Sequence, residues 1–281
     1  MNFRRLAFAA LAQMVLGSTI AMAHQDSRGS FENEQLPERD VPLALEVRDK
    51  VKDAAERFLG LSEVRFVIVD AKTTRLRWGD TTPSGLAVYP WSFAHGPIDL
   101  SMRPPDHILA HEIGHDLFRR YVVPSSHSEQ YGTDAPDWLD ESVAIAFEDD
   151  EQKAERRCDA HRLFEGGELI PLKRFLQMDH PDLLIDPDVS FEVQDDFQSS
   201  SIVSLETPSF YGMSLAFPEY LISQVGTPKV LGDVARAFVD GVDLEAWMAE
   251  RTTTSDVREM ERDFHEWLSA DPRYRCPINE Y

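Results

Sequence analysis

The chain has 281 residues, of which 28 are basic and 50 acidic, so its formal net charge is −22 at neutral pH. A charge this negative repels phosphate backbones and anionic lipid headgroups, which disfavours binding to nucleic acid or to a membrane surface. A protein with this charge binds cationic or neutral substrates more readily than anionic ones. The same charge is equally well explained as a means of keeping the protein soluble.

The first 23 residues have the three zones of a secretory signal peptide. Arg4 and Arg5 provide the positive start, residues 6–20 form an apolar run, and residues 21–23 (Ala-Met-Ala) match the pattern after which a signal peptidase cuts. The alternative is an uncleaved anchor, which needs about 20 apolar residues, and this run barely reaches that length. We therefore predict an exported protein, periplasmic or secreted, with no membrane association after cleavage.

The chain has two cysteines, Cys158 and Cys276. In the oxidising compartment of an exported protein they could pair and close a loop of more than a hundred residues. Sequence alone does not show whether their Cβ atoms can meet, so a disulfide and two free thiols both stay open.

Hydrophobic periodicity predicts a small mixed α/β part followed by a helical part. Apolar residues recur at helical spacing over residues 42–61, where Gly60 suits the helix end. The β-branched run at 64–70 (VRFVIVD) predicts a buried strand. Further short strands are expected at 76–80, 86–93 and 98–102.

From residue 105 onward the pattern is mainly helical, apart from a polar, acidic stretch between Pro181 and Pro208 that predicts a long surface loop. The fold class expected is α+β. We divide the chain into a signal peptide (1–23), a flexible leader (24–40), an N-terminal α/β subdomain (41–130), a helical C-terminal subdomain (131–270) and a tail (271–281).

The motif that carries chemistry lies in residues 106–121, DHILAHEIGHDLFRRY, where an apolar stripe predicts an amphipathic helix. Residues 111–115 are an H-E-x-x-H motif. Four residues advance about one helical turn, so His111 and His115 project from one face and can bind one zinc ion. Glu112 lies about 100° around the helix, beside the metal, where it can act as the general base toward water.

Chance could place two histidines and a glutamate on a solvated helix with the same spacing. Gly114 argues for a buried setting, because glycine costs a helix up to about 1 kcal/mol and is usually tolerated where another backbone packs close.

A catalytic zinc also needs a third protein ligand and an open position for water. The extended metzincin motif requires glycine at 118 and histidine at 121, where this chain has Phe118 and Tyr121, so that class is excluded. Residues 132–134 (Gly-Thr-Asp) approach the aspzincin pattern G-T-x-D, but the aspartate comes one position early.

The best-placed third ligand is Glu141, in a predicted helix opened by Pro136. Three other acids in or beside this helix are rivals for the role: Asp137, Asp140 and Glu148.

Residues 138–144 (WLDESVA) resemble the W-L-x-E-G-x-A segment of gluzincin zinc metallopeptidases, especially the peptidase MA-like group. The resemblance implies that Glu141 is the third zinc ligand, and Ser142 stands where the family has glycine. Residues 169–172 (LIPL) and the helix that begins at Tyr211 resemble further segments of this group. That likeness implies that Tyr211 donates a hydrogen bond to the oxyanion. Pro218 departs from the pattern and leaves the orientation of Tyr211 open.

The resemblance implies a zincin-like α+β fold, with a small mixed sheet packed on the H-E-x-x-H helix and a mainly helical C-terminal half. The expected function is hydrolysis of a peptide or protein substrate with one Zn²⁺ as cofactor. The alternatives are a catalytically inactive zincin-like binding module and a zinc hydrolase of a non-peptide amide or ester. A purely structural zinc site would have four protein ligands and no room for water.

Overall fold

The computed structural model describes residues 36–91, 106–124, 133–181 and 207–276. The predicted signal peptide, most of the leader, the strand expected at 98–102 and nearly all of the acidic stretch lie outside the described residues. Within those ranges, no helix combines the length and apolar character that crossing a membrane requires.

Helices dominate the described part of the chain, and two strands form a small sheet. The helices are α1 (Val41–Ala54), α2 (Asp106–Leu117), α3 (Asp137–Ala146), α4 (Asp150–Gly166), α5 (Leu172–Phe175), α6 (Thr207–Val225), α7 (Val230–Val239), α8 (Leu244–Thr252) and α9 (Val257–Ala270). One π-helical turn extends α1 over Ala55–Leu59, and another extends α2 over Phe118–Val122. At this coarse level the composition agrees with the predicted α+β class.

The sheet consists of β1 (Phe66–Asp70) and β2 (Ala87–Trp91), which pair in parallel with Phe66 opposite Ala87. Both strands lie where the β-branched and aromatic runs predict them. Side chains of the two strands and of the preceding Leu86 form a buried hydrophobic cluster: Val67, Val69, Leu86 and Val88.

The strand expected at 76–80 is wrong, because this segment forms a turn. Asp80 accepts a hydrogen bond from the backbone N–H of Arg77 at 2.6 Å, and its own N–H donates to the Arg77 carbonyl at 3.1 Å. An aspartate that bonds to the backbone three residues away favours a turn over an extended strand.

The described chain divides into two compact units. The first contains residues 36–46 and 64–91, including the sheet, and the second contains residues 47–63 and 106–276. Helix α1 crosses from one unit to the other, and it ends as predicted at Gly60, which takes a left-handed conformation (φ 72°). Every other helix among the described residues belongs to the second unit.

Helix α3 lies at the centre of the second unit, since every residue from Trp138 to Ala146 is buried. Aromatic rings pack around it: the Trp138 ring lies 5.8 Å from those of both Phe175 and Phe217. A helix enclosed in this way carries its acids into the interior, where each needs a partner to offset the loss of hydration.

The two cysteines form a disulfide that joins α4 to the end of the described chain, with Cα atoms 5.0 Å apart. Charged contacts strengthen the same junction. The Glu219 carboxylate pairs with Arg157 at 2.6 Å and with Arg273 at 3.4 Å, and it accepts a hydrogen bond from the buried Tyr274 hydroxyl at 2.9 Å.

Gly114 marks the place where α2 and α3 approach each other. A Cβ atom at this position would lie 3.0 Å from the Cα of Ala144 and 3.3 Å from the Phe147 ring. The close backbone approach that the sequence led us to expect is therefore present, and it sets the distance between the helix with the histidines and the helix with Glu141.

We expect Gly114→Ala to lower the free energy of unfolding by about 1–3 kcal/mol, because the methyl group overpacks this contact. In an open helix the same change would stabilise by up to about 1 kcal/mol. Gly166→Ala is the matched control, since the three atoms nearest to its Cβ would all belong to the flexible Glu168 side chain. Urea unfolding of both variants tests the contact, and a stabilised Gly114→Ala protein would contradict it.

Candidate metal centre

Helix α2 presents His111 and His115 on one side because its apolar stripe occupies the other. Leu109, Ile113 and Leu117 are fully buried, which orients the helix. The two imidazole rings meet edge to face, and their Nε2 atoms are 3.2 Å apart. Both side chains are largely enclosed, with exposed fractions of 12% and 11%.

Glu141 comes to these rings from the buried helix α3. Its Oε1 lies 3.6 Å from the Nε2 of His111, and its Oε2 lies 3.6 Å from the Nε2 of His115. The donor atoms of the three residues are all within 4.8 Å of one another, so the group could hold a metal ion. Asp134, the aspzincin alternative, is exposed and is not a member of this group.

Two of the rival acids, Asp140 and Glu148, contact the Nδ1 edges of the histidine rings, opposite the Nε2 atoms that face Glu141. Asp140 Oδ1 lies 2.8 Å from the Nδ1 of His115, and Glu148 Oε1 lies 2.9 Å from the Nδ1 of His111. A carboxylate in this position accepts the Nδ1–H and leaves the Nε2 lone pair free to bind a cation. Arg156 holds Glu148 in turn, donating from its Nε at 2.7 Å and from a second nitrogen.

His180 also lies beside Glu141, and the sequence did not predict this contact. The side chain is fully buried, and its Nε2 lies 3.7 Å from the Oε2 of Glu141. The third rival acid, Asp137, accepts a hydrogen bond from the backbone N–H of His180 at 2.6 Å. No motif spacing links His180 to α3, so only the folded chain reveals the contact.

The charges of the cluster depend on one another. Burial alone would lower the pKa of His115, but Asp140, Glu141 and Glu112 outweigh burial and raise that pKa to about 9. Burial alone would raise the pKa of Glu141, but His111, His180 and His115 hold it at about 2. The raised pKa of His115 and the lowered pKa of Glu141 show that the imidazoles and the buried carboxylate stabilise each other's charged forms.

The donor atoms of His111, His115 and Glu141 are arranged to bind a cation. Buried Glu141 Oε1 has no hydrogen-bond partner among the residues that the structure describes, although a buried carboxylate oxygen normally has one. Since the Nδ1 atoms face Asp140 and Glu148, the two Nε2 lone pairs point toward the same space as this oxygen. A metal ion satisfies all three donors at once.

Of the two predicted catalytic residues, Glu112 follows His111 on α2, and Tyr211 lies near His180. Glu112 is half-buried on α2, and its charge adds a smaller contribution than those of Asp140 and Glu141 to the raised pKa of His115. The half-buried Tyr211 ring lies 5.6 Å from the His180 ring, with the Arg156 guanidinium carbon 5.0 Å from its centroid. Helix α6 continues through Pro218 without a break.

Removing the partner of His115 should weaken metal binding. We expect Asp140→Ala to reduce metal affinity by about 10–100-fold, because the imidazole loses the acceptor that orients it and increases its basicity. Titration against a chromophoric chelator measures this affinity. Asp159→Ala, which removes an exposed acid on α4, serves as the control; an equal loss in both variants would contradict the assignment.

Comparison of the chain with known protein families, curated proteins and solved structures finds no match.

Proposed function

We propose that the protein is an exported zinc metallopeptidase of the gluzincin type. One observation carries the proposal: His111, His115 and Glu141 converge within 4.8 Å, while Asp140 and Glu148 accept hydrogen bonds from the opposite edges of the two imidazoles. Three protein donors with a further position for water are the arrangement that a catalytic zinc uses.

The chemistry and spacing of the donors favour zinc. Two imidazole nitrogens and one carboxylate oxygen suit this ion, whereas calcium and magnesium prefer oxygen ligands. Two nitrogens bound tetrahedrally to zinc at about 2.0–2.1 Å would be separated by roughly 3.3 Å. The Nε2 atoms of His111 and His115 are 3.2 Å apart, so little rearrangement of the rings is needed.

When bound, zinc lowers the pKa of a coordinated water to about 7 and polarises the substrate carbonyl. Glu112 accepts a proton from the attacking water and delivers it to the leaving amine. Asp140 and Glu148 keep the histidine rings in the tautomer that directs Nε2 toward the ion. Tyr211 donates a hydrogen bond to the oxyanion, and the Arg156 guanidinium against its ring helps to hold it in place.

Two further proposals follow from the resemblance to the peptidase MA-like group and from the sequence of the N-terminal segment. The fold is zincin-like, and residues 1–23 direct export to the periplasm or the exterior. The Cys158–Cys276 disulfide supports export, because such bonds persist in oxidising compartments and are rare in the cytosol.

Metal analysis combined with a peptide library tests the function. The purified protein should contain one zinc ion per chain and cleave members of the library, as detected by mass spectrometry. Treatment with 1,10-phenanthroline should abolish cleavage, and added zinc should restore it. Cleavage that survives removal of the metal, or a zinc-loaded protein that cleaves no peptide, would overturn the proposal.

A further inference from the structure

The second unit contains a cavity of about 300 Å³ that is separate from the candidate metal centre. Side chains from the end of α1 and from α3, α4, α6 and α7 line it, and none of His111, His115 and Glu141 does so. Its size is at the lower end of the range for small-molecule sites.

One side of this cavity is cationic. Arg57, Lys153, Arg157 and Arg273 line it together with only two acids, Asp150 and Glu219. Glu219 is already shared by the two later arginines, and Arg273 also pairs with Asp271 at 2.7 Å.

Two of these cations remain without an acidic partner. Within the described ranges, neither Arg57 nor Lys153 forms an ion pair with a carboxylate. The Lys153 ammonium donates one hydrogen bond, to the Ala146 carbonyl at 2.8 Å, and the charge of Asp150 acts on it from the same cavity. In a chain with a net charge of −22, a cavity with surplus positive charge is unusual. It attracts anions, in contrast to the rest of the surface.

A buried hydroxyl adds a hydrogen-bond donor. Ser214 is fully buried and lines the cavity, and its Oγ has no hydrogen-bond partner in the part of the chain that the structure describes. Ser142, which also lines the cavity, instead donates to the Trp138 carbonyl. An unsatisfied buried hydroxyl destabilises the folded state, and a ligand that accepts a hydrogen bond from it removes that penalty.

The other walls are apolar and favour a ligand with a hydrocarbon portion. Phe58, Leu215 and Ile222 contribute to this wall, and the Lys153 ammonium lies 5.9 Å from the Phe58 ring centroid. Burial lowers the pKa of Lys153 to about 8, so an anion beside the ammonium group would stabilise its charged form.

We propose that this cavity is a second ligand site, which binds a small organic carboxylate. The carboxylate end accepts a hydrogen bond from Ser214 and pairs with Lys153 and Arg57, while the hydrocarbon portion packs against the apolar wall. The inference does not depend on the proposed peptidase activity.

Calorimetry with hexanoate, at constant ionic strength, tests this site on the whole protein. Binding should be saturable, and the neutral isostere hexanamide should bind at least about tenfold more weakly, because a hydrogen bond to a charged group is much stronger than one to a neutral group. Binding should also persist after the metal is removed with 1,10-phenanthroline. A signal lost on chelation would place hexanoate at the metal centre and overturn the proposal.

Two variants assign the binding to the cavity. Lys153→Met should weaken hexanoate binding by at least about tenfold, while Arg162→Met, an exposed cation on the same helix, should leave it unchanged. Ser214→Ala should weaken hexanoate binding without lowering the thermal stability of the free protein, since it removes an unsatisfied group. If Lys153→Met does not fold, Ser214→Ala decides the question. Unchanged affinity in the folded variants, or equal loss in Arg162→Met, refutes the site.

Discussion

Replacing Glu112 by glutamine should lower kcat for peptide hydrolysis by about a hundredfold to ten-thousandfold while the zinc content stays at one ion per chain. Glutamine has nearly the same size as glutamate but cannot accept the proton of the attacking water. Glu112 does not belong to the group of His111, His115 and Glu141, so the metal should remain bound. Loss of activity with retention of metal is the signature of a general base that is not a ligand.

The measurement compares zinc content and cleavage rates of Glu112→Gln with those of Glu151→Gln, a variant of an exposed acid on α4. The control should match the original protein in both quantities. Full activity in Glu112→Gln would exclude the role of general base. If zinc disappeared together with activity, Glu112 would have to be reassigned as a ligand or as a structural group.

The second large effect concerns stability. The disulfide spans a sequence separation of 118 residues, and the chain-entropy model assigns a cross-link of this span about 5 kcal/mol at 25 °C. We expect Cys158→Ala combined with Cys276→Ala to lower the free energy of unfolding by about 2–5 kcal/mol, because the unfolded chain gains freedom.

Urea unfolding with and without a thiol reductant separates this effect from local packing. Reductant should destabilise the original protein by nearly the same amount as the double substitution and should not affect the double variant. The ion pairs and the Tyr274 hydrogen bond at Glu219 would still hold the end of the chain in the folded state. A loss below about 1 kcal/mol would show that the cross-link restricts the unfolded chain little.

The arrangement of α2 and α3 explains why so many acids can be buried here. Asp140 and Glu148 reach the Nδ1 atoms of the two histidines, and Glu141 reaches both Nε2 atoms. Asp137 holds the backbone of His180. Each acid that competes in the sequence for the role of third ligand thus occupies a separate position around the site.

Local sequence determined the elements with strong periodicity or clear end signals. The helix with the H-E-x-x-H motif, the strand over Phe66–Asp70 and the end of α1 at Gly60 are present. In these segments, the structure depends on side-chain spacing and glycine conformation within a few residues, so the sequence alone predicts the elements. The turn at residues 76–80 was missed because one aspartate, bonding to the backbone, outweighed the strand pattern.

Only the tertiary structure determines which residues far apart in the sequence come into contact. Sequence could name Glu141 as a candidate, but only the packing of Gly114 against Ala144 shows how closely its helix approaches the two histidines. The contact of His180 with Glu141, the pairing of Cys158 with Cys276 and the cavity lined by Lys153 and Ser214 likewise appear only in the folded chain. The physical reason is that hydrogen bonds, ion pairs and cross-links depend on distances of a few ångströms between residues far apart in sequence, and the packing of buried helices sets those distances.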